Sequence, residues 1–206
     1  NPSHAYSACG SYYVTLVVES DMGCADTLNR MSEVYCLPVA DFQTQNVCFG
    51  LPSFFNDQSV IASGAVNQWQ WNFGEPSSGM LNLSSAQNPG HNYASCGAYN
   101  VRLITASDKG CTDTVSRTLN VFCLPEAEFS AAEVCKGVSS IFTDASTFGF
   151  GDSIASWLWA FGDGKGYSVQ QNPQYLFAAH GIYTALLSVT TDKGCSDSVM
   201  HQVTVN

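Results

Sequence analysis

One stretch of this chain occurs twice and begins a third time. Cys9–Gly50, CGSYYVTLVVESDMGCADTLNRMSEVYCLPVADFQTQNVCFG, realigns without a gap on Cys96–Gly137, CGAYNVRLITASDKGCTDTVSRTLNVFCLPEAEFSAAEVCKG, with half of the positions identical. A partial third copy, HGIYTALLSVTTDKGCSDSVMHQVTV, starts at His180. Cys9 to Cys96 is an offset of 87 residues and Cys96 to His180 one of 84. A period of this length is too long for one turn of a helical solenoid and fits one small domain per repeat. The repeat frame predicts two complete domains, 36–122 and 123–206. Residues 1–35 read as the C-terminal part of another, because 1–31 align with 88–118. The chain is therefore expected to be a segment of a longer array.

Within each copy the apolar residues alternate. Tyr12, Val14, Leu16 and Val18 fall on one face, as do Tyr99, Val101 and Leu103, and then Tyr183, Ala185, Leu187 and Val189. Period two with β-branched residues predicts strands with one face on a core. Each run ends in Asp-x-Gly-Cys (Asp21, Asp108 and Asp192), a tight-turn signal, and a second alternating strand follows, so each copy contains a hairpin. Next comes Cys36-Leu-Pro or Cys123-Leu-Pro, where proline suits an edge strand. Further on stand Trp69-Gln-Trp-Asn-Phe-Gly and Trp157-Leu-Trp-Ala-Phe-Gly-Asp-Gly, which line up large rings on one sheet face. No segment holds a helical period over ten residues. Short strands with frequent turns predict an all-β chain of sandwiches. No Gly/Ser linker separates the repeats, so the joints are expected to be short and stiff and the array extended.

Polarity comes from Ser, Thr, Asn and Gln, because charged residues make up only 12% and the net charge is −10. That balance argues against nucleic acid, whose phosphates it repels, and against anionic lipid. Nine cysteines recur at repeat positions with no CxxC pair. Zinc sites usually bring two ligands close in sequence, so disulfides are the preferred reading. Disulfides place the chain in an oxidising, extracellular or cell-surface setting. No apolar run is long enough to span a membrane, and direct membrane insertion of this segment is not expected.

At the aromatic and turn motifs the unit resembles a polycystic-kidney-disease (PKD) domain. Trp159-Ala-Phe-Gly-Asp-Gly matches that family's W-x-F-G-D-G, whereas Trp71-Asn-Phe-Gly-Glu-Pro departs at its end. Pro89-Gly-His-Asn-Tyr and Pro2-Ser-His-Ala-Tyr match P-x-H-x-Y; the last copy has Tyr175 for the histidine and Phe177 for the tyrosine. All three copies keep G-x-Y-x-V-x-L or a close variant of it. The resemblance implies tandem immunoglobulin-like sandwiches of an extracellular or cell-surface protein. The cysteine-bearing version is similar to repeats of very large Bacteroidota surface proteins, including gliding adhesins exported by type IX secretion.

Laid on that sandwich, the strand directions put Cys36 and Cys111 at one end of the middle unit and Cys48 and Cys96 at the other. The expected bonds are Cys36–Cys111, Cys48–Cys96 and Cys123–Cys195, since Cα atoms must lie within about 7 Å. Cys135 is left unpaired or joined outside the segment, and Cys9 and Cys24 find partners in the rest of the first unit. Thr27, Thr114, Ser153 and Ser198 stand in Asp-Thr/Ser-apolar triplets resembling the O-glycan acceptor of Bacteroidota.

Other constellations have bland readings beside sharp ones. His4 and His91 lie in the Pro-x-His-x-Tyr turn with no nucleophile or acid repeating beside them, so a hydrogen-bonded turn residue is expected. Asp144, Asp152 and Asp163 are the candidate ligands of a structural calcium, which needs six or more oxygens; no other cofactor is implied. Trp71 and Trp159 occupy the family's core position, with a sugar-stacking platform including Trp69 and Trp157 as the alternative. No P-loop, HExxH or Ser/His/Asp set is present. The composite expectation is a non-enzymatic stalk or fibre segment of a large adhesin-type repeat protein. Its expected partners are neighbouring repeats of the same longer chain, with lateral copies in a fibre as a further option. The alternative is an accessory polysaccharide- or protein-binding module of a secreted hydrolase.

Overall fold

The structure, a computed structural model, describes residues 1–149 and 152–206. Among the described residues it is all-β apart from one 3-10 stretch at Pro76–Asn82. The chain divides into two compact units. The first holds Asn1–Gln45, Phe54–His91 and Asn100–Thr118; the second holds Asn46–Ser53, Asn92–Tyr99 and Leu119–Asn206.

The first hairpin pairs β1 (Gly10–Glu19) with β2 (Ala25–Val34), in register from Gly10↔Val34 to Glu19↔Ala25. The middle copy builds β3 (Val66–Asn72), β4 (Gly97–Ser107) and β5 (Thr112–Phe122). In that sheet the order is Leu83–Ser84, β3, β4, β5, and Val47–Cys48 runs parallel to the end of β5. Short pairs make the facing layer: Pro38–Val39 with Val60–Ile61, and Phe42–Gln43 with Asn56–Asp57. The last copy repeats the plan with β6 (Ile154–Ala160), β7 (Gly181–Thr191) and β8 (Ser196–Val205), flanked by Tyr167–Ser168. Its facing layer is Phe129–Ala131, Ser140–Asp144 and Gln174–Tyr175.

The alternation in the sequence becomes burial. Val101 and Leu103, and then Ala185, Leu187 and Val189, are wholly buried. Trp71 lies against Phe42 and Phe55, at ring centroid distances of 5.1 and 5.6 Å. Trp159 meets Phe129 and Phe142 at 5.1 and 5.5 Å. Both indoles are fully enclosed, and each N–H donates to a backbone carbonyl, Ala86 at 2.9 Å and Gln170 at 2.8 Å. A buried indole needs such a partner, and the loop after the Trp-x-Phe-Gly strand supplies it in both copies.

The glycine of the Phe-Gly motif has a steric cause. A Cβ on Gly74 would sit 2.7 Å from the Asn100 carbonyl oxygen, and one on Gly162 would sit 2.2 Å from that of Thr184. Both also adopt positive φ, 78° and 84°. The tyrosine of Gly-x-Tyr is likewise pinned in all three copies: Tyr12, Tyr99 and Tyr183 donate to the carbonyls of Ala8, Ser95 and Ala179 at 2.7–2.9 Å.

One position breaks the pattern. Where the last copy has Val189, the middle copy has Thr105, equally buried, and its Oγ1 has no hydrogen-bond partner among the described residues. An unpaired buried hydroxyl is destabilising, and valine has the same shape without it. Thr105→Val is therefore expected to raise stability by about 1 kcal/mol, and Val189→Thr to lower it by at least as much. Urea unfolding of both variants at neutral pH measures this.

Candidate functional site

The features that repeat with chemical detail are three: a turn that presents a cysteine, a set of carboxylates that pin loops, and the disulfides. The turns are built alike. Ser20, Ser107 and Thr191 each donate their N–H to the carbonyl of the cysteine four residues on, at 2.8–2.9 Å. Their side-chain oxygens accept the N–H of Cys24, Cys111 and Cys195 at 3.1–3.2 Å. Gly23, Gly110 and Gly194 close each turn at φ near 80°, a conformation that glycine adopts freely.

The disulfides overturn the sequence-predicted pairing. The structure joins Cys9–Cys36, Cys96–Cys123 and Cys48–Cys195, and leaves Cys24, Cys111 and Cys135 as thiols. The expected Cys36–Cys111, Cys48–Cys96 and Cys123–Cys195 bonds are not formed. The reason is the hairpin register. Gly10 pairs with Val34, so Cys9 and Cys36 flank the open end of one hairpin, their Cα atoms 4.9 Å apart. Cys96 and Cys123 do the same at 5.0 Å. The sequence reading gave Cys36 and Cys123 to the first strand of the following unit, whereas they close the hairpin before it. The equal separation of 27 residues in both pairs was the available signal. Cys48 is carried by Asn46–Ser53, a segment of the second compact unit, and there meets Cys195 with Cα atoms 5.6 Å apart. In the chain-entropy picture, closing that 147-residue separation contributes roughly 5 kcal/mol, and each hairpin clamp about 3.5 kcal/mol.

The carboxylates are held by protein donors. Asp57 accepts from the Trp69 indole at 2.7 Å and from Gln87 at 3.1 Å; Asp144 accepts from Trp157 and Gln171 at the same two distances. Burial pushes Asp144 up, but bonds from Ser146, Trp157 and Gln171 outweigh it and hold the carboxyl below its usual range. Asp113 and Asp197 accept the N–H of Ala40 and Ala127, tying the hairpin to the leading strand. Asp163 accepts from the backbone N–H groups of Lys165 and Gly166 and from Tyr175 Oη at 2.5 Å. Asp144, Asp152 and Asp163 are not gathered: among the described residues no three His, Cys, Asp or Glu side chains cluster as metal ligands do.

The departures from the family motif prove to be paired. Middle-copy His91, buried, lies 2.9 Å from Glu75 and stacks on Phe73. In the last copy Tyr175 takes the histidine's place, stacks on Phe161 and bonds Asp163, which stands for Glu75. The turn histidine is thus bonded to a residue 16 positions away. Likewise Arg117–Asp41 in one copy becomes His201–Glu128 in the next. His4 packs edge-on against Tyr6. Trp69 and Trp157 are half-buried, with their indole nitrogens committed to Asp57 and Asp144. Thr27, Thr114, Ser153 and Ser198 are all exposed. Asn82, in an Asn-Leu-Ser triplet, is buried and bonded to Asn72 and the Glu75 N–H.

The PKD-domain family model matches residues 36–123 and again 124–206. The chain belongs to the PKD-domain family. PKD domains are commonly extracellular structural or binding modules. Among solved structures, the chain is similar to the PKD1 domain of Vibrio anguillarum Epp, at 32% identity over 41% of this chain and 93% of that one, TM-score 0.37. It is similar too to the PKD1 domain of the Vibrio cholerae metalloprotease PrtV, at 31% identity over 40% and 98%, TM-score 0.36. The eight N-terminal immunoglobulin domains of Down syndrome cell adhesion molecule match at 14% identity and TM-score 0.56, over 93% of this chain and 28% of that one, a likeness of fold.

The Asp163–Tyr175 pair gives this PKD chain a pH signature. The Tyr175 hydroxyl holds Asp163 below the ordinary carboxylate value of 3.8, and Asp163 pushes Tyr175 up to about 12. A depressed carboxyl stabilises the fold above its unfolded value, and that contribution fades as pH falls through it. A raised tyrosine stabilises below its unfolded value of 10.0, and that contribution is lost as pH climbs from there toward about 12. Urea midpoints should therefore drop below pH 4 and above pH 10, and Tyr175→Phe should blunt the alkaline drop.

Proposed function

We propose that this PKD chain is a non-enzymatic stalk or fibre segment of a large secreted or surface-anchored adhesin-type protein. The observation that carries it is where the disulfides fall. Under tension a disulfide removes the loop it closes from the extensible length. Of 206 residues, the separations of 27 and 147 are shielded, which leaves roughly 30 residues to stretch, on the order of 100 Å at about 3.5 Å each. A spacer that cannot lengthen even when its domains unfold suits a load-bearing tether.

The face of β1 supports an array longer than two domains. Val14, Leu16 and Val18 are 45–54% exposed, while their counterparts Val101, Leu103 and Thr105 are buried beneath the middle copy's core. Residues 1–35 are read as the closing part of a further PKD-like domain, and neighbouring repeats of a longer chain are the proposed partners. Oxidised cysteines agree with an extracellular or cell-surface place, and among the described residues no helix is long and apolar enough to cross a membrane. The resemblance to Bacteroidota gliding adhesins exported by type IX secretion is carried by the Gly-Cys-x-Asp-Thr hairpins alone. The four exposed hydroxyls at Thr27, Thr114, Ser153 and Ser198 are proposed O-glycan sites; intact mass of the native protein should exceed the sequence mass by whole sugar units, and an unmodified mass rejects this. A sugar-gripping role has little support in the tryptophans, two of which are core and two bonded to aspartate.

Single-molecule pulling between the two ends tests the tether. On full unfolding the oxidised chain should reach a total end-to-end length of about 100 Å, and the reduced chain one of roughly 700 Å. Equal extensions would remove the argument for a load-bearing role.

A further inference from the structure

Cys48–Cys195 joins two kinds of position: a cysteine on the short strand beside the end of a hairpin, and a cysteine presented by the Asp-x-Gly-Cys turn. The bond runs between different sequence repeats, from the one matched at 36–123 to the one matched at 124–206. Each kind recurs unpaired. Cys135 is the short-strand cysteine of the last copy. Cys24 and Cys111 are turn cysteines.

The backbone around these thiols is built as it is around the bonded pair. Val47 pairs in parallel with Val121, one residue before Cys48, and the Phe49 N–H donates to the Phe122 carbonyl at 2.8 Å. Val134 forms the same parallel bridge with Val205, one residue before Cys135, and the Lys136 N–H donates to the Asn206 carbonyl at 2.6 Å. On the other side, the turns of Cys24 and Cys111 reproduce, bond for bond, the turn that delivers Cys195. Bonded Cys195 is 1% exposed, whereas Cys24 and Cys135 are exposed and Cys111 half-exposed. The bonded pair therefore shows what completes each open half.

We infer that Cys24, Cys111 and Cys135 are the open halves of a ladder of repeat-to-repeat disulfides. Cys135 takes the turn cysteine of a further Asp-x-Gly-Cys repeat, and Cys24 and Cys111 each take a short-strand cysteine of a repeat on the other side. The partner is a thiol of another repeat of this construction, in the same chain or in a second copy. Each bond forms as two thiols pass two electrons and two protons to a disulfide-bearing oxidant, which leaves as two thiols; the protein gains one S–S bond. The ladder makes every repeat covalently continuous with its neighbour through side chains as well as through backbone. It rests on the reading of the chain as part of an array.

The test is alkylation without reduction, followed by peptide mapping by mass spectrometry. In this chain by itself, Cys24, Cys111 and Cys135 should be alkylated and the other six cysteines protected. In the native full-length protein all three should be protected, Cys135 linked to an Asp-x-Gly-Cys peptide and Cys24 and Cys111 to short-strand peptides. Non-reducing intact mass separates the two sources: a single chain for neighbouring repeats, a multiple for second copies. Alkylation of the three thiols in the full-length protein, or Cys24–Cys111 and Cys135–Cys135 links, overturns the ladder while leaving the array standing. A full-length chain without further repeats of this kind overturns both.

Discussion

Each sandwich depends on one buried indole. Trp71 and Trp159 are the largest side chains with almost no exposure, and the aromatic rings of both layers meet on them. An aromatic of that size contributes its area only if the N–H is also satisfied. The loop that follows the strand does this by turning a carbonyl inward, so the same residue that fills the core also fixes the path of the chain outside it. The Phe-Gly that comes next can press against the neighbouring strand only because glycine has no Cβ.

Around this centre, carboxylates replace the packing that a small core lacks. Asp57 and Asp144 hold Trp69 and Trp157, the first indole of each pair, and the Asn-Pro loop, through Asn88 and Asn172 accepting the same aspartates' backbone N–H. Asp113 and Asp197 tie the hairpin to the leading strand. An acidic chain with few lysines thus spends many of its carboxylates on backbone and indole N–H donors rather than on ion pairs. This leaves the mechanical reading with a material basis: local pins inside each sandwich, and disulfides that clamp hairpin ends and join repeat to repeat.

The swap of His91–Glu75 for Tyr175–Asp163 shows how such a fold tolerates change. Both pairs put a flat ring on the Phe of Trp-x-Phe-Gly and a polar atom on an acid from the turn beyond it. The shorter aspartate accompanies the longer tyrosine. In the sequence the two substitutions look like separate departures from the motif, and only their contact explains them together.

Periodicity and repeat spacing determined a good deal: all-β sandwiches and the hairpins with their glycine turns follow from alternation and from steric rules that act within a few residues. The burial of Trp71 and Trp159 rather than Trp69 and Trp157 was instead implied by the resemblance to the PKD family, since all four share one alternation phase. The cysteine pairing did not follow, because it depends on which strand end meets which across the fold. Cys36 lies next to the leading strand in sequence but belongs to the hairpin end in space, and Cys48 finds its partner 147 residues away. Local propensity carries no information about such distances. Strand register and the path of Asn46–Ser53 set them, and these are decided only when the sheets are assembled.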